Sequence, residues 1–173
     1  MEAVALRDGP AELRVLLDKR MGPAFRLARA VLLDDGEAED AVQEACVIAW
    51  QKRSSLRDPD RLDAWFDRIV LNLCRDRLRR RKRIPEIHAS DWHEAVRLDA
   101  SASSNHAPDV DLDAALDRLD YEHRVVVLLR YWRDLTVDDI GERLGVPSGT
   151  VKSRLHYALK SMRVYLEEHD GRS

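Results

Sequence analysis

The chain of 173 residues is long enough for one ordinary domain or two small ones, and its 45% hydrophobic content excludes a wholly disordered protein. With 35% charged residues and only seven glycines and six prolines, the composition argues against an all-β fold and suits helices with one apolar stripe and a wide solvated face. The net charge of −3 conceals two basic stretches, 75–83 and 121–163, around an acidic one at 84–120, and separated basic patches are a footprint expected of a polyanion partner.

Taken in chain order, Leu13, Leu16, Leu17 and Met21 start a 3.6-residue period that Gly22-Pro23 interrupts, so a short helix, a tight break and a second helix ending near Leu33 are expected. A turn over Asp34-Asp35-Gly36 precedes a helix from Glu37 to about Arg53, whose buried stripe is Ala38, Val42, Ala45, Cys46 and Ala49 and whose acidic start suits the positive end of the helix dipole. After a polar loop, Ser54 to Asp60, a long helix runs from Arg61 to about Arg83 with Leu62, Trp65, Phe66, Ile69 and Leu73 inward and Cys74 at the edge of that stripe.

Periodicity is lost from Ile84 to about Val110, where Pro85, the run Ala100 to Ser104 and Pro108 mark a linker with room for one helical turn around Trp92. The chain is therefore read as a first domain over 10–83, a linker over 84–110 and a second domain over 111–168. In the second domain the expected helices are Leu112–Leu119, Tyr121–Trp132, Thr136–Leu144 and Ser148 to about Glu168. Thr136 with Asp139 has capping-box spacing, and Gly145 is placed to end its helix in a left-handed turn. The predicted fold class is all-α.

Three constellations carry functional chemistry. The last two helices have helix-turn-helix spacing, equally compatible with a plain helical hairpin; in the former case Ser148, Lys152, Ser153 and His156 face outward near the end that enters a major groove. On the long helix, Arg68, Asn72, Arg75 and Arg79 share a stripe expected opposite Trp65, Ile69 and Leu73: an amide that can read a base edge among cations that can hold phosphate, against the plain reading of a solvated basic helix end. Asp40, Gln43, Glu44 and Val47 form an exposed acidic stripe suited to a basic helical partner, or merely to solvent.

Enzyme chemistry finds no support. His88, His93, His106, His123, His156 and His169 do not pair with metal-ligand spacing, and neither a glycine-rich phosphate loop nor a nucleophile elbow is present. Cys46 and Cys74 also lack ligand spacing and read as reduced core residues. No apolar run of about 18 residues is present and the first residues lack a signal-peptide pattern, so no membrane span, no metal, no cofactor and a cytoplasmic location are expected.

Together these segments resemble the extracytoplasmic-function (ECF) class of sigma factors in the sigma-70 family. Residues 37–45, EAEDAVQEA, are similar to the family's D-A-E-D-x-x-Q-E-x signature. Trp65, Arg68, Ile69, Asn72 and Asp76, with a final arginine at Arg79 or Arg80, resemble its W-L-x-R-I-x-x-N-x-x-x-D-x-x-R pattern. Residues 149–155, GTVKSRL, match a third motif in full, and residues 139–146 resemble E-I-A-x-x-L-G-V with Asp139 for Glu and Gly141 for Ala.

The resemblance implies a non-enzymatic transcription initiation factor that takes core RNA polymerase to promoters and opens the duplex. Asp40, Gln43, Glu44 and Val47 would dock on the clamp helices of the polymerase's largest subunit. Arg53, Ser54, Ser55, Arg68, Asn72, Arg75, Arg79 and Arg80 would engage the minus-ten element, including one base flipped from the opened duplex. Lys152, Ser153, His156 and Tyr157 would read the minus-thirty-five element, with Arg154 on phosphate and Ser148 and Thr150 also in contact with that DNA. The flap of the second-largest subunit and an anti-sigma factor are further implied partners.

Three departures from the pattern have consequences. His156-Tyr157 occupies positions that vary in the family, so no promoter sequence carries over. Cys46, where the family often has Phe, predicts a slightly emptier core, and Gly141 within a helix costs about 1 kcal/mol relative to Ala. About 27 linker residues can span up to roughly 90 Å, enough for two DNA sites two helical turns, roughly 70 Å, apart. The rival reading from the residues alone is a stand-alone dimeric regulator that binds duplex DNA through its second domain and has no need of the Asp40 stripe or the Asn72 face.

Overall fold

Leu13, Leu17, Ala24, Leu27, Ala28, Val31 and Leu32 recur at helical spacing and are all buried, and they form one continuous helix, α1 (Gly9–Leu32). The break expected at Gly22-Pro23 does not occur. Pro23 forfeits one backbone hydrogen bond, which by itself costs about 3 kcal/mol in a helix interior. The buried stripe continues across it and packs on the next helix, and that burial outweighs the local loss.

The computed structural model describes residues 9–83 and 110–170; the linker expected over 84–110, with the turn at Trp92 and with His88, His93 and His106, lies outside them apart from Val110. The structure divides into two compact units at Arg79–Arg80, and among the described residues there is no strand.

In the first unit α1 ends at Leu33, which takes the left-handed conformation (φ 58°). The turn expected over Asp34-Asp35-Gly36 is instead the start of α2 (Asp35–Gln51). Asp34 is its N-cap and accepts a hydrogen bond from the Glu37 backbone N–H at 2.6 Å. Ala38, Ala41, Val42, Ala45 and Ala49 form the buried stripe of α2 and pack on α1. Cys46 is only half-buried, so it is not the core residue expected.

Short 3-10 turns at Arg53–Ser55 and Pro59–Arg61 lead into α3 (Leu62–Arg83). Its buried residues are Leu62, Phe66, Asp67, Val70, Leu71 and Cys74, whereas Trp65, Ile69 and Leu73 are half-buried. The core-facing side is thus turned by nearly one residue step, about 100° of rotation. Val70 and Leu71, missing from the expected stripe, are both fully buried, with Val70 near the centre of the core-facing side. Burial pushes the Cys74 thiol up to about 12, so it is a neutral core group.

The second unit begins with α4 (Val110–Asp117), followed by α5 (Tyr121–Val127), capped by Asp120, whose side chain accepts from the His123 N–H at 3.0 Å. The helix expected to continue to Trp132 widens into a π turn over Leu128–Trp132. That turn leaves Leu128 and Leu129 buried and brings Tyr131 and Trp132 out to solvent. Next come α6 (Val137–Leu144) and α7 (Ser148–Asp170). Thr136 and Asp139 form the expected reciprocal capping box, and Gly145 closes α6 at φ 67°. Val151, Leu155, Ala158 and Met162 bury one side of α7, which packs on α4, α5 and α6.

Gly141 has a use that its sequence position hides. A Cβ there would lie 2.8 Å from the Val146 carbonyl oxygen, and the Gly141 carbonyl accepts from the Val146 N–H at 3.0 Å. The turn between α6 and α7 closes directly on this residue, so the low helix propensity of glycine is offset by an approach that a side chain would obstruct.

Candidate functional site

The outer face of α2 carries Asp40, Gln43, Glu44 and Val47, all exposed, and Val47 keeps 57% of its surface in solvent. They are not equally available. The Arg77 guanidinium, from α3, donates to Glu44 at 2.8 Å and to Glu37 at 3.2 Å, while Gln43 Nε2 donates to Glu39 at 3.3 Å. Burial works against the charge on Arg77, but the hydrogen bonds it donates to Glu37 and Glu44 prevail and push its pKa above the ordinary value.

On α3, Arg68, Asn72, Arg79 and Arg80 are exposed and Arg75 is half-buried, its Nε sequestered without a hydrogen-bond partner. The face expected opposite Trp65 and Ile69 is in fact bordered by them. Trp65 and Asn72 are seven residues apart, two helical turns, and therefore lie on nearly one line. Trp65 Nε1 donates to Ser55 Oγ at 3.2 Å, and Ser55 in turn donates to the Lys52 carbonyl at 2.7 Å. Ser55 is thereby a tie between loop and helix, and both it and Ser54 are exposed. Arg53 lies over the Trp50 ring at 5.5 Å and donates to the Trp50 carbonyl at 3.0 Å.

In the second unit α6 and α7 meet in a tight turn, with Lys152, Ser153, His156 and Tyr157 exposed on α7 and Thr150 half-buried. The Ser148 hydroxyl bonds to Asp138 of α6, and Ser153 donates to the Thr150 carbonyl at 2.9 Å. The His156 and Tyr157 rings meet edge-on at 5.5 Å. Arg154 is withdrawn from solvent and pairs with Glu122 of α5 at 2.7 Å.

Comparison with known proteins gives two family matches: Sigma-70 region 2 over residues 16–84 and Sigma-70 region 4 over residues 115–164. The chain is 33% identical to RNA polymerase sigma factor SigV of Bacillus subtilis over 84% of its own length and 86% of that protein's. It is likewise 33% identical to the ECF RNA polymerase sigma factor SigL of Mycobacterium tuberculosis, over 91% of this chain and 90% of the relative. The chain belongs to the ECF sigma factors of the sigma-70 family.

This sigma factor therefore acts in transcription initiation by RNA polymerase and performs no catalysis of its own. The match of the first unit to region 2 removes the stand-alone regulator reading. Two solved structures share the fold: a sigma factor RpoE in complex with the anti-sigma factor NepR from Bartonella quintana (TM-score 0.70, 22% identity, covering 90% of this chain and 97% of that one) and CnrH in complex with the cytosolic domain of CnrY (TM-score 0.67, 23% identity, 96% and 92%). Among the described residues of the sigma factor, no helix is long and apolar enough to cross a membrane and no cluster of His, Cys, Asp and Glu could hold a metal ion.

Several features escaped the sequence reading. Arg14, Leu17, Asp18 and Met21 of α1 with Gln43, Cys46 and Trp50 of α2 line an open groove of about 380 Å³ beside the α2 face. Burial and the charge of Asp18 raise the Cys46 pKa, so its thiol stays protonated. Trp50 had a signal that was passed over: it lies two turns from Gln43, on the same line. Arg77 had none, since its partners are 33 and 40 residues away in sequence.

Proposed function

We propose that the first unit, with the boundaries 10–83, carries polymerase docking and minus-ten recognition on adjoining helices, and that the second, 111–168, reads the minus-thirty-five element, with 84–110 as the connection between them. Asp40, Gln43 and Val47 dock on the clamp helices of the largest polymerase subunit, with Glu44 shared between that surface and Arg77. The exposed apolar surface of Val47 and Trp50 adds to the acidic stripe what a helical partner buries. Arg68, Arg75, Arg79 and Arg80 hold the backbone of the minus-ten element, Asn72 reads a base, and the loop of Arg53, Ser54 and Ser55 receives the flipped nucleotide.

Lys152, His156 and Tyr157 read upstream bases. Ser148, Thr150 and Ser153 lie nearest the amino end of α7, where helix N–H groups favour phosphate. The flap of the second-largest subunit is the proposed partner of the second unit. An anti-sigma factor is the proposed regulator, in line with the two fold relatives solved with such partners. As a polymerase subunit the protein works in the cytoplasm.

The observation that carries this reading is the pairing within one folded unit of an exposed acidic-apolar face on α2 with an exposed arginine-asparagine face on α3. Run-off transcription with core polymerase over a promoter library tests it. Asn72→Ala is expected to retain polymerase binding and lose permanganate reactivity of the melted bases; equal reactivity in mutant and wild type defeats the assignment.

A further inference from the structure

We propose that Glu122 and Arg154 form a positioning pair that sets the rotation of the recognition helix α7, and that Arg154 does not contact DNA phosphate. The proposal rests on the reading of α7 as the helix that faces the upstream element, and it assigns to Glu122, a residue without any expected role, a part in promoter selection.

The helix geometry comes first. Arg154 is two residues from Lys152 and two from His156, and a two-residue step is about 200° of rotation, so residues so spaced do not share a face. Lys152 and His156, four apart, project together; Arg154 projects to the other side, on the flank of the seam formed by Val151, Leu155 and Ala158. The exposures agree: Arg154 keeps 23% of its side chain in solvent, whereas Lys152 and His156 are exposed. Its guanidinium nitrogen is 2.7 Å from the Glu122 carboxylate, so its charge is already matched within the protein.

Glu122 is well placed for such a task. It lies in the first turn of α5, which Asp120 caps at 3.0 Å. Two residues on, Arg124 donates to the carbonyls of Leu116 (3.1 Å), Asp117 (2.7 Å) and Leu119 (3.1 Å), which tie this end of α5 to the end of α4. The carboxylate thus projects from an anchored turn. On the other side of the apolar seam, Ser148 bonds to Asp138 of α6. Two polar ties, one to α5 and one to α6, therefore flank the seam. An apolar seam alone tolerates small rotations, while two directional ties on opposite sides do not, and rotation is what moves Lys152 and His156 along a groove.

The two roles for Arg154 predict opposite signs for the same substitution. If it held phosphate, removing Glu122's charge would free it and strengthen DNA binding. If it positions the helix, removing either partner weakens upstream selection. The experiment is run-off transcription by the full chain with core polymerase on promoters randomised only upstream, together with DNA binding by the holoenzyme across a salt series.

Glu122→Gln and Arg154→Gln are each expected to lower the preference for the best upstream sequences by about two- to fivefold, the range of a partly exposed ion pair. Both should leave promoters without an upstream element, and the salt slope, unchanged. The reversed pair, Glu122→Arg with Arg154→Glu, is expected to restore the preference to within about twofold. Thermal melting of each variant separates loss of folding from loss of orientation, and the reversed pair keeps the test valid if a single variant melts early.

Tighter binding by Glu122→Gln, a salt slope reduced by about one in Arg154→Gln, or no recovery in the reversed pair overturns the proposal. Lys152→Ala and His156→Ala serve as the reference. If they alter the promoter ranking and the Glu122 and Arg154 variants do not, the positioning role alone is wrong. If none alters it, the assignment of α7 as the upstream reader falls, and the proposal with it.

Discussion

Arg77 in the first unit and Arg124 in the second both turn inward, and the two are held in different ways. Arg77 in the first unit is bound by two carboxylates from another helix, at 2.8 and 3.2 Å, and its charge is reinforced. Arg124 in the second unit is 8% exposed and is bound by three backbone carbonyls. Burial lowers its pKa, and the charges of Asp117 and Asp120 oppose that. The carboxylate-held arginine is a matter of charge and any cation serves in part. The carbonyl-held one is a matter of shape, because only a planar fork can reach several carbonyls at once.

Substitution at Arg124 is the strongest way to break this contrast. Arg124→Lys is expected to destabilise the second unit by about 2–3 kcal/mol, nearly as much as Arg124→Met, because a single ammonium cannot satisfy the three carbonyls. Urea unfolding of the full chain measures it, and a lysine variant close to wild type would show that charge, not shape, matters there.

Gly141→Ala comes next. Helix propensity favours alanine by about 1 kcal/mol, but the new Cβ would meet the Val146 carbonyl at 2.8 Å. Overpacking of this kind costs about 1–3 kcal/mol, so net destabilisation is expected, and a raised melting temperature would refute the close approach.

Arg77→Met is expected to cost the first unit about 1 kcal/mol, discounted because Glu44 remains half in water, with Arg77→Lys recovering a good part. Arg79→Met should leave stability unchanged and weaken holoenzyme binding to all promoters alike. Equal melting of the Arg77 and Arg79 variants would erase the distinction between inward and outward arginines. Glu44→Arg therefore mixes docking with stability, and Asp40→Arg is the cleaner probe of polymerase binding.

The smallest effect concerns acid. The Thr136 hydroxyl, then its backbone N–H, hold the Asp139 carboxyl below its ordinary pKa. A depressed folded value means stability that is present above the unfolded carboxylate range, about 3.9, and is lost as pH falls through the folded value. Thr136→Val should thus lose less than about 1 kcal/mol at neutral pH, since the group is exposed, and the difference from wild type should shrink in acid. A difference independent of pH between 2 and 7 would remove the carboxylate from the account.

The capping box and the left-handed Gly145 were legible in the sequence because each depends on residues within a few positions of one another. The exposed Asp40, Gln43 and Val47, and Lys152 with His156, were legible for the same reason. The faces of α3 were read less well. Apolar residues such as Trp65, Ile69 and Leu73 can serve either as a core stripe or as its border, and the choice of Val70 and Leu71 for burial was made by what packs against them.

By itself, the sequence determined an all-helical chain, the capping box at Thr136 with the Gly145 cap, and the order of motifs that places it among the ECF sigma factors, since local periodicity and short motifs do not depend on distant partners. Only the tertiary structure decided that α1 runs through Pro23, that Arg77 and Arg154 pair with carboxylates of other helices, and that Gly141 admits a carbonyl. Each of these is settled by a group brought close through folding, and the energy of that contact outweighs the local preference.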